Sequence, residues 1–122
     1  MNKRILSILV ENTAGVLSRV SGLFSRRGYN IDSLSAGITT DPNYTRMTVV
    51  CKGDELILEQ ITRQVEKLED VLSVKVLQDG QSVTRELMLV KVKVTPEQRA
   101  GVSAIVDIFR ANIIDVGKES MI

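Results

Sequence analysis

The chain has 122 residues, 43% of them hydrophobic and 25% charged, the mixture of one globular domain or two very small ones. With 16 Lys and Arg against 15 Asp and Glu the formal charge is +1, so no strong pull toward nucleic acid or membrane is expected. Histidine is absent and Cys51 is the lone cysteine, which leaves a zinc site or a Cys–His nucleophile nothing to be built from, excludes an intrachain disulfide and fits a reducing cytosol. The chain is expected not to be an enzyme by itself. Its apolar runs are strand-sized and far short of a membrane span, and Met1-Asn2-Lys3-Arg4 leads into a strand without a secretory h-region.

In chain order, a strand is predicted over residues 3–10, where Arg4 to Val10 form an apolar, β-leaning run. A helix over residues 15–27 follows, with Val16, Leu17, Val20, Leu23 and Phe24 recurring at helical spacing. Glu11-Asn12-Thr13-Ala14-Gly15-Val16-Leu17 is therefore a tight strand-to-helix turn. Asn12 or Thr13 is placed to cap the helix by accepting from an orphan backbone N–H. Ala14 and Gly15 carry little side chain, and the helix dipole puts partial positive charge at that end, so a small anion has room to approach the backbone. Two readings of the turn stand side by side: an ordinary capped turn, and a pocket for a small carboxylate-bearing effector.

Arg26 and Arg27 suit the helix C-terminus, as a solvated end or a docking patch, and Gly28 is placed as the left-handed residue that closes it. Tyr29-Asn30-Ile31-Asp32 opens an extended stretch reaching Thr40, and Asp41-Pro42-Asn43 is a turn signal. Arg46 to Lys52 alternates polar residues against Met47, Val49 and Cys51, so these segments read as a β-hairpin with Cys51 a buried structural thiol. Asp54 and Glu55 start a second helix whose buried stripe is Leu58, Ile61, Val65 and Leu68, and Val71 to Leu77 is a further strand. The order β-α-β-β-α-β is that of a ferredoxin-like α+β fold, two helices on one face of a four-stranded antiparallel sheet, with the other face uncovered.

The expected division is residues 1–78 as an effector-binding domain, 79–85 as a polar linker and 86–122 as an incomplete ferredoxin-like domain. In the last segment Glu86 to Val94 alternates like a strand, and Thr95-Pro96-Glu97-Gln98 is a capping box with proline at the first helical position. Val102, Ile105, Val106 and Phe109 supply a helical stripe, and Asn112 to Val116 begins another strand. A β-α-β half unit of about forty residues buries too little apolar surface to stand alone; either the chain is cut, a tail is missing, or the segment docks on a neighbour.

Three stretches, Ile5 to Val20, Leu23 to Ile31 and Arg46 to Val49, resemble the small, regulatory subunit of acetohydroxyacid synthase (acetolactate synthase). Asp54-Glu55, Glu59-Gln60-Ile61 and Arg85 to Val92 continue the likeness, which spans essentially the whole chain. The resemblance implies an N-terminal ACT domain that pairs side by side with a second copy into an eight-stranded sheet. It implies binding of a branched-chain amino acid, chiefly valine, at that homodimer interface, with feedback on the enzyme. The family's ligand-contacting turn matches Asn12, Thr13, Ala14, Gly15 and Val16, and a part contributed across the dimer matches Asn30 and Ile31. Thiamine diphosphate, Mg²⁺ and usually FAD are implied on the catalytic large subunit and no cofactor on this chain, whose setting is cytoplasmic. Family members carry a complete C-terminal domain, whereas this sequence ends after its first β-α-β portion.

The residues give that reading a mechanism. The carboxylate would meet the N–H groups near Gly15 and Val16 with Asn12 orienting it, while a partner's Asn30 accepts from the ammonium and Ile31 packs on the aliphatic group. A stand-alone ACT-type amino-acid sensor is the alternative. An RNA-recognition domain would stack bases on sheet aromatics, which the 3% aromatic content does not supply.

Overall fold

The computed structural model describes residues 2–122, which divide into a first unit running through Val83 and a second from Thr84 to Ile122. In the first unit, β1 (Asn2–Glu11), α1 (Val16–Arg27), β2 (Ile31–Ile38), β3 (Tyr44–Gly53), α2 (Glu55–Glu66) and β4 (Val71–Leu77) follow one another as the ferredoxin-like order requires. All pairings are antiparallel, and the sheet order is β2-β3-β1-β4.

Alternation divides the sheet into two faces. Leu6, Ile8 and Val10 of β1 and Met47, Val49 and Cys51 of β3 are fully buried, together with Val20 and Phe24 of α1 and Leu58, Ile61 and Val65 of α2. Both helices therefore lie on one side. Ile5, Leu9, Thr48 and Val50 occupy the opposite face and stay partly exposed, where Arg46 Nη1 donates to the Ser7 hydroxyl at 2.8 Å. Cys51 is fully buried and its Sγ donates to the Arg4 carbonyl; loss of solvent pushes the thiol pKa up.

The helix ends follow local chemistry. At Gly28, φ is 68°, Tyr29 N–H donates to the Phe24 carbonyl and Gly28 N–H to that of Ser25. This is a Schellman closure, and its expected apolar contact is the edge-to-face pair of Tyr29 on Phe24, 6.1 Å between centroids. Asp54 caps α2 by accepting from Ile57 N–H at 2.9 Å. Each edge strand carries one extra residue. Leu72 interrupts the pairing of β4 with β1 and Asp32 that of β2 with β3, and the Asp32 bulge brings its carboxylate to Lys52 at 2.8 Å.

The second unit departs from expectation. The strand predicted over 86–94 is reduced to β5 (Val92–Lys93), and that predicted from Asn112 to a single bridge at Val116. A strand forms only where backbone partners exist, and here β6 (Ser120–Met121) supplies them, pairing with β5 on one side and Val116 on the other. That order, with 116 outside, β6 in the middle and β5 beyond, repeats β2-β3-β1, so this unit is β-α-β plus the start of a third strand. The Thr95 capping box and Pro96 are present, but they start a 3-10 turn (Pro96–Gln98) before α3 (Arg99–Ile108). The stripe predicted on α3 is not buried: Ile105 is 55% and Phe109 78% exposed, and the buried hydrophobics of this unit are Val94 and Met121.

Candidate functional site

The Glu11–Leu17 turn connects β1, at the centre of the sheet, to α1. Gly15 takes φ 83° and ψ −3° and itself occupies the N-cap position, with no side-chain cap. The capping role expected of Asn12 or Thr13 is therefore corrected. A left-handed glycine inserted before the helix carries the Asn12 and Thr13 side chains past capping position, and Thr13 contributes its carbonyl, which accepts from Val16 N–H at 3.4 Å.

Asn12 instead ties the turn sideways. Its amide donates to the Pro42 carbonyl at 2.9 Å, its side-chain carbonyl accepts from the Thr45 hydroxyl at 3.1 Å, and its backbone N–H donates to Asn43 at 2.8 Å. The β2–β3 turn thus buttresses one flank. On the other flank, Glu11 N–H donates to the Asp70 carbonyl at 2.9 Å, and the Asp70 carboxylate holds the Arg19 guanidinium through Nε and through Nη2 at 3.1 Å. That carboxylate raises the Arg19 pKa above its ordinary value. Among the described residues the N–H groups of Ala14, Gly15, Leu17 and Ser18 donate to no carbonyl or side chain, so the helix end presents free donors to solvent.

Asn12, Thr13, Ala14 and Gly15 are exposed, and Val16 is buried against the core. Asn30 and Ile31 are not beside them. Ile31 pairs with Cys51 at one end of β3, whereas Ile38 and Val10 both pair with Thr45 at the other. Six residue steps along β3 separate the two ends, about 20 Å at 3.3 Å per residue. Asn30 is exposed and its amide donates to Asp32 at 2.9 Å, so the bulge carboxylate fixes its orientation. Between the two ends runs the unpaired edge of β2, whose helix-side residues Leu34 and Ile38 are 38% and 67% exposed. Sequence reasoning missed Arg19, Asp32 and Asp70; Arg19 and Asp70 are fifty-one positions apart, and only the folded sheet joins them.

A cleft of about 300 Å³ in the second unit, lined by Lys93, Val94, Thr95, Pro96, Gln98 and Glu119, contains none of these residues. Among the described residues no group of three His, Cys, Asp or Glu is placed to hold a metal ion, and no helix is long and apolar enough to cross a membrane.

The family model for the AHAS small subunit-like ACT domain matches residues 6–73, and that for the small subunit of acetolactate synthase matches residues 85–122. The chain belongs to the acetolactate synthase small-subunit family. Within that family it is 54% identical over 114 residues to the isozyme 3 small subunits of Salmonella typhimurium and Escherichia coli, covering 93% of this chain and 70% of each relative. The Mycobacterium avium small subunit is 49% identical, covering 95% of this chain and 70% of the relative. The solved small subunit from Thermotoga maritima superposes with a TM-score of 0.82 at 32% identity, over 99% of this chain and 76% of that one. The ACT domain of Chlorobium tepidum GTP pyrophosphokinase, at TM-score 0.51 and 19% identity over 62% of this chain and 96% of that one, shares the fold alone.

Proposed function

We propose that this chain is a non-catalytic regulatory subunit that binds a branched-chain amino acid, valine foremost, between two copies of its ACT domain and passes that occupancy to a catalytic large subunit in the cytoplasm. Membership of the small-subunit family supports the partner. The observation that carries the effector site is the separation of its two parts. Asn12–Val16 and Asn30–Ile31 lie about 20 Å apart on one chain, so neither end holds a complete amino-acid site. They are joined by the bare edge of β2, and pairing that edge antiparallel with a second copy brings one chain's Asn30–Ile31 end alongside the other's turn. The effector carboxylate then meets the free N–H groups of α1 and the ammonium meets Asn30 of the second copy. Because the site needs both chains, ligand affinity and dimer geometry are linked. Thiamine diphosphate, Mg²⁺ and FAD belong to the large subunit in this reading.

The test is thermal unfolding of the chain against valine, leucine, isoleucine, serine and phenylalanine, followed by copurification with a large subunit. A ligand at ten times its Kd adds about 1.4 kcal/mol of stability, a shift of a few degrees. Stabilisation by valine and its aliphatic relatives is the expected result. A shift with serine or phenylalanine alone, or failure to bind a large subunit, overturns it in favour of a stand-alone amino-acid sensor.

A further inference from the structure

We propose that Arg19, held by Asp70, is a positioning residue that straps the Asn12–Val16 turn to the α2–β4 connection and so fixes the amides that receive the effector carboxylate. The proposal rests on the effector reading above for its ligand, but its geometry stands independently of it. Asp70 holds both ends of the turn. Its backbone carbonyl takes Glu11 N–H at 2.9 Å where the chain leaves β1, and its carboxylate takes two nitrogens of Arg19. Arg19 in turn reaches back over the turn, with Nη2 3.4 Å from the Ala14 carbonyl. Its Nη1 lies 2.9 Å from where a Cβ on Gly15 would stand. The guanidinium thus fills the space that the missing side chain of Gly15 leaves, directly beside the helix-end donors.

An ion pair whose guanidinium is half exposed contributes little to global stability; Arg19 is such a group, lying over an Asp70 carboxylate that is 16% exposed. Its worth lies in restricting a loop. A bidentate guanidinium–carboxylate pair defines both distance and orientation, and with Asn12 bound to Pro42 and Thr45 on the opposite flank the turn is braced from two sides. Pre-organised amides bind an anion without first losing conformational freedom. Asp70 is also the last residue of the connection into β4, so a ligand that tightens the turn acts on that connection through the same two groups.

The experiment uses the full chain with Arg19→Gln, Asp70→Asn, the double variant and the swapped pair Arg19→Asp with Asp70→Arg. Two readouts are taken: the valine Kd by calorimetry, and backbone ¹⁵N heteronuclear NOE values for residues 12–16 without ligand. Each single variant is expected to weaken valine by about tenfold, with the double no worse than the singles because both act through one strap. Turn NOE values fall in all three, the swapped pair restores both readouts in part, and the ligand-free melting temperature barely moves. Unchanged NOE values overturn the proposal, as does an unchanged Kd or a fully additive double variant. If the parent chain binds none of the branched-chain amino acids, the effector reading fails, and the NOE arm alone decides the strap.

Discussion

Gly15 combines φ 83° with a guanidinium 2.9 Å from its absent Cβ, so a side chain there meets both backbone strain and Arg19. Gly15→Asp is expected to lower the melting temperature by a few degrees, since a left-handed non-glycine residue costs about 1–2 kcal/mol, and to keep the fold. Its carboxylate, arriving beside Arg19 and the free amides, occupies the place assigned to the effector, so the valine-dependent shift disappears. An undiminished shift would remove the turn from the site. Asn30→Ala is expected to weaken valine by roughly 1–3 kcal/mol, the cost of leaving a charged partner short of a hydrogen bond, as read by calorimetry; wild-type affinity would exclude Asn30. Cys51 gives a pH dependence with a definite sign. Burial raises its folded pKa above the ordinary value of 9.0, so its contribution is complete below that value and declines as pH rises through it, where the unfolded thiol ionises and the buried one does not. Urea titrations at pH 7 and pH 10 should show the wild type losing more stability than Cys51→Val over that interval.

At the scale of elements, the edge of β2 is an exposed feature of the first unit that suits the proposed partner. Lacking Pro and Lys, it presents unpaired backbone with Leu34 and Ile38 half open above it. Ile38→Lys leaves the chain's own core untouched and places a charge on the helix side of that edge. If the proposed dimer forms, light scattering is expected to show it for the wild type and a monomer for the variant, with the valine shift lost alongside; a dimer that survives the substitution locates the association elsewhere. The first six elements were legible in the sequence because their signals are local: alternation at Met47, Val49 and Cys51, helical spacing at Leu58, Ile61 and Val65, and capping chemistry at Asp54 and Gly28. The cap of α1 was misread because Gly15 was weighed for its size and not for its sign of φ. Arg19 and Asp70 were invisible for a different reason, since nothing short of the β1–β4 pairing says that they meet. In the second unit the pattern from Glu86 to Val94 was strand-like, yet alternation records a suitable surface and not the presence of a neighbour to pair with.

The whole molecule therefore combines two units of unequal cohesion. The first contains the thirteen-residue core cluster, while the second buries Val94 and Met121 and leaves Ile105, Ile108 and Phe109 exposed. At the junction Val83, the last residue of the first unit, and Leu87, Met88 and Leu89 near the start of the second are exposed and without regular structure. Limited proteolysis is expected to cut first between residues 79 and 91, because cleavage follows local opening. The fragment ending near Leu77 should keep the melting temperature of the parent to within a few degrees. First cleavage inside the 2–77 segment, or collapse of that fragment, would show that the first unit depends on the second.

The extra residue at Asp32 has a consequence for the parity of β2. Ile31 and Leu34 both face the helices although an odd number of steps separates them, which is possible only because Asp32 is left out of the pairing with β3. Taking it into the ladder opposite Val50 would restore strict alternation of the present sequence and turn either Ile31 or the set Leu34, Ala36 and Ile38 to the opposite side of the sheet. Deleting it, by contrast, would leave Ile31, Ser33 and Leu34 opposite Cys51, Val50 and Val49 with both apolar residues still facing the helices. What the extra residue supplies is therefore its side chain, a carboxylate that pairs with Lys52 and accepts from the Asn30 amide.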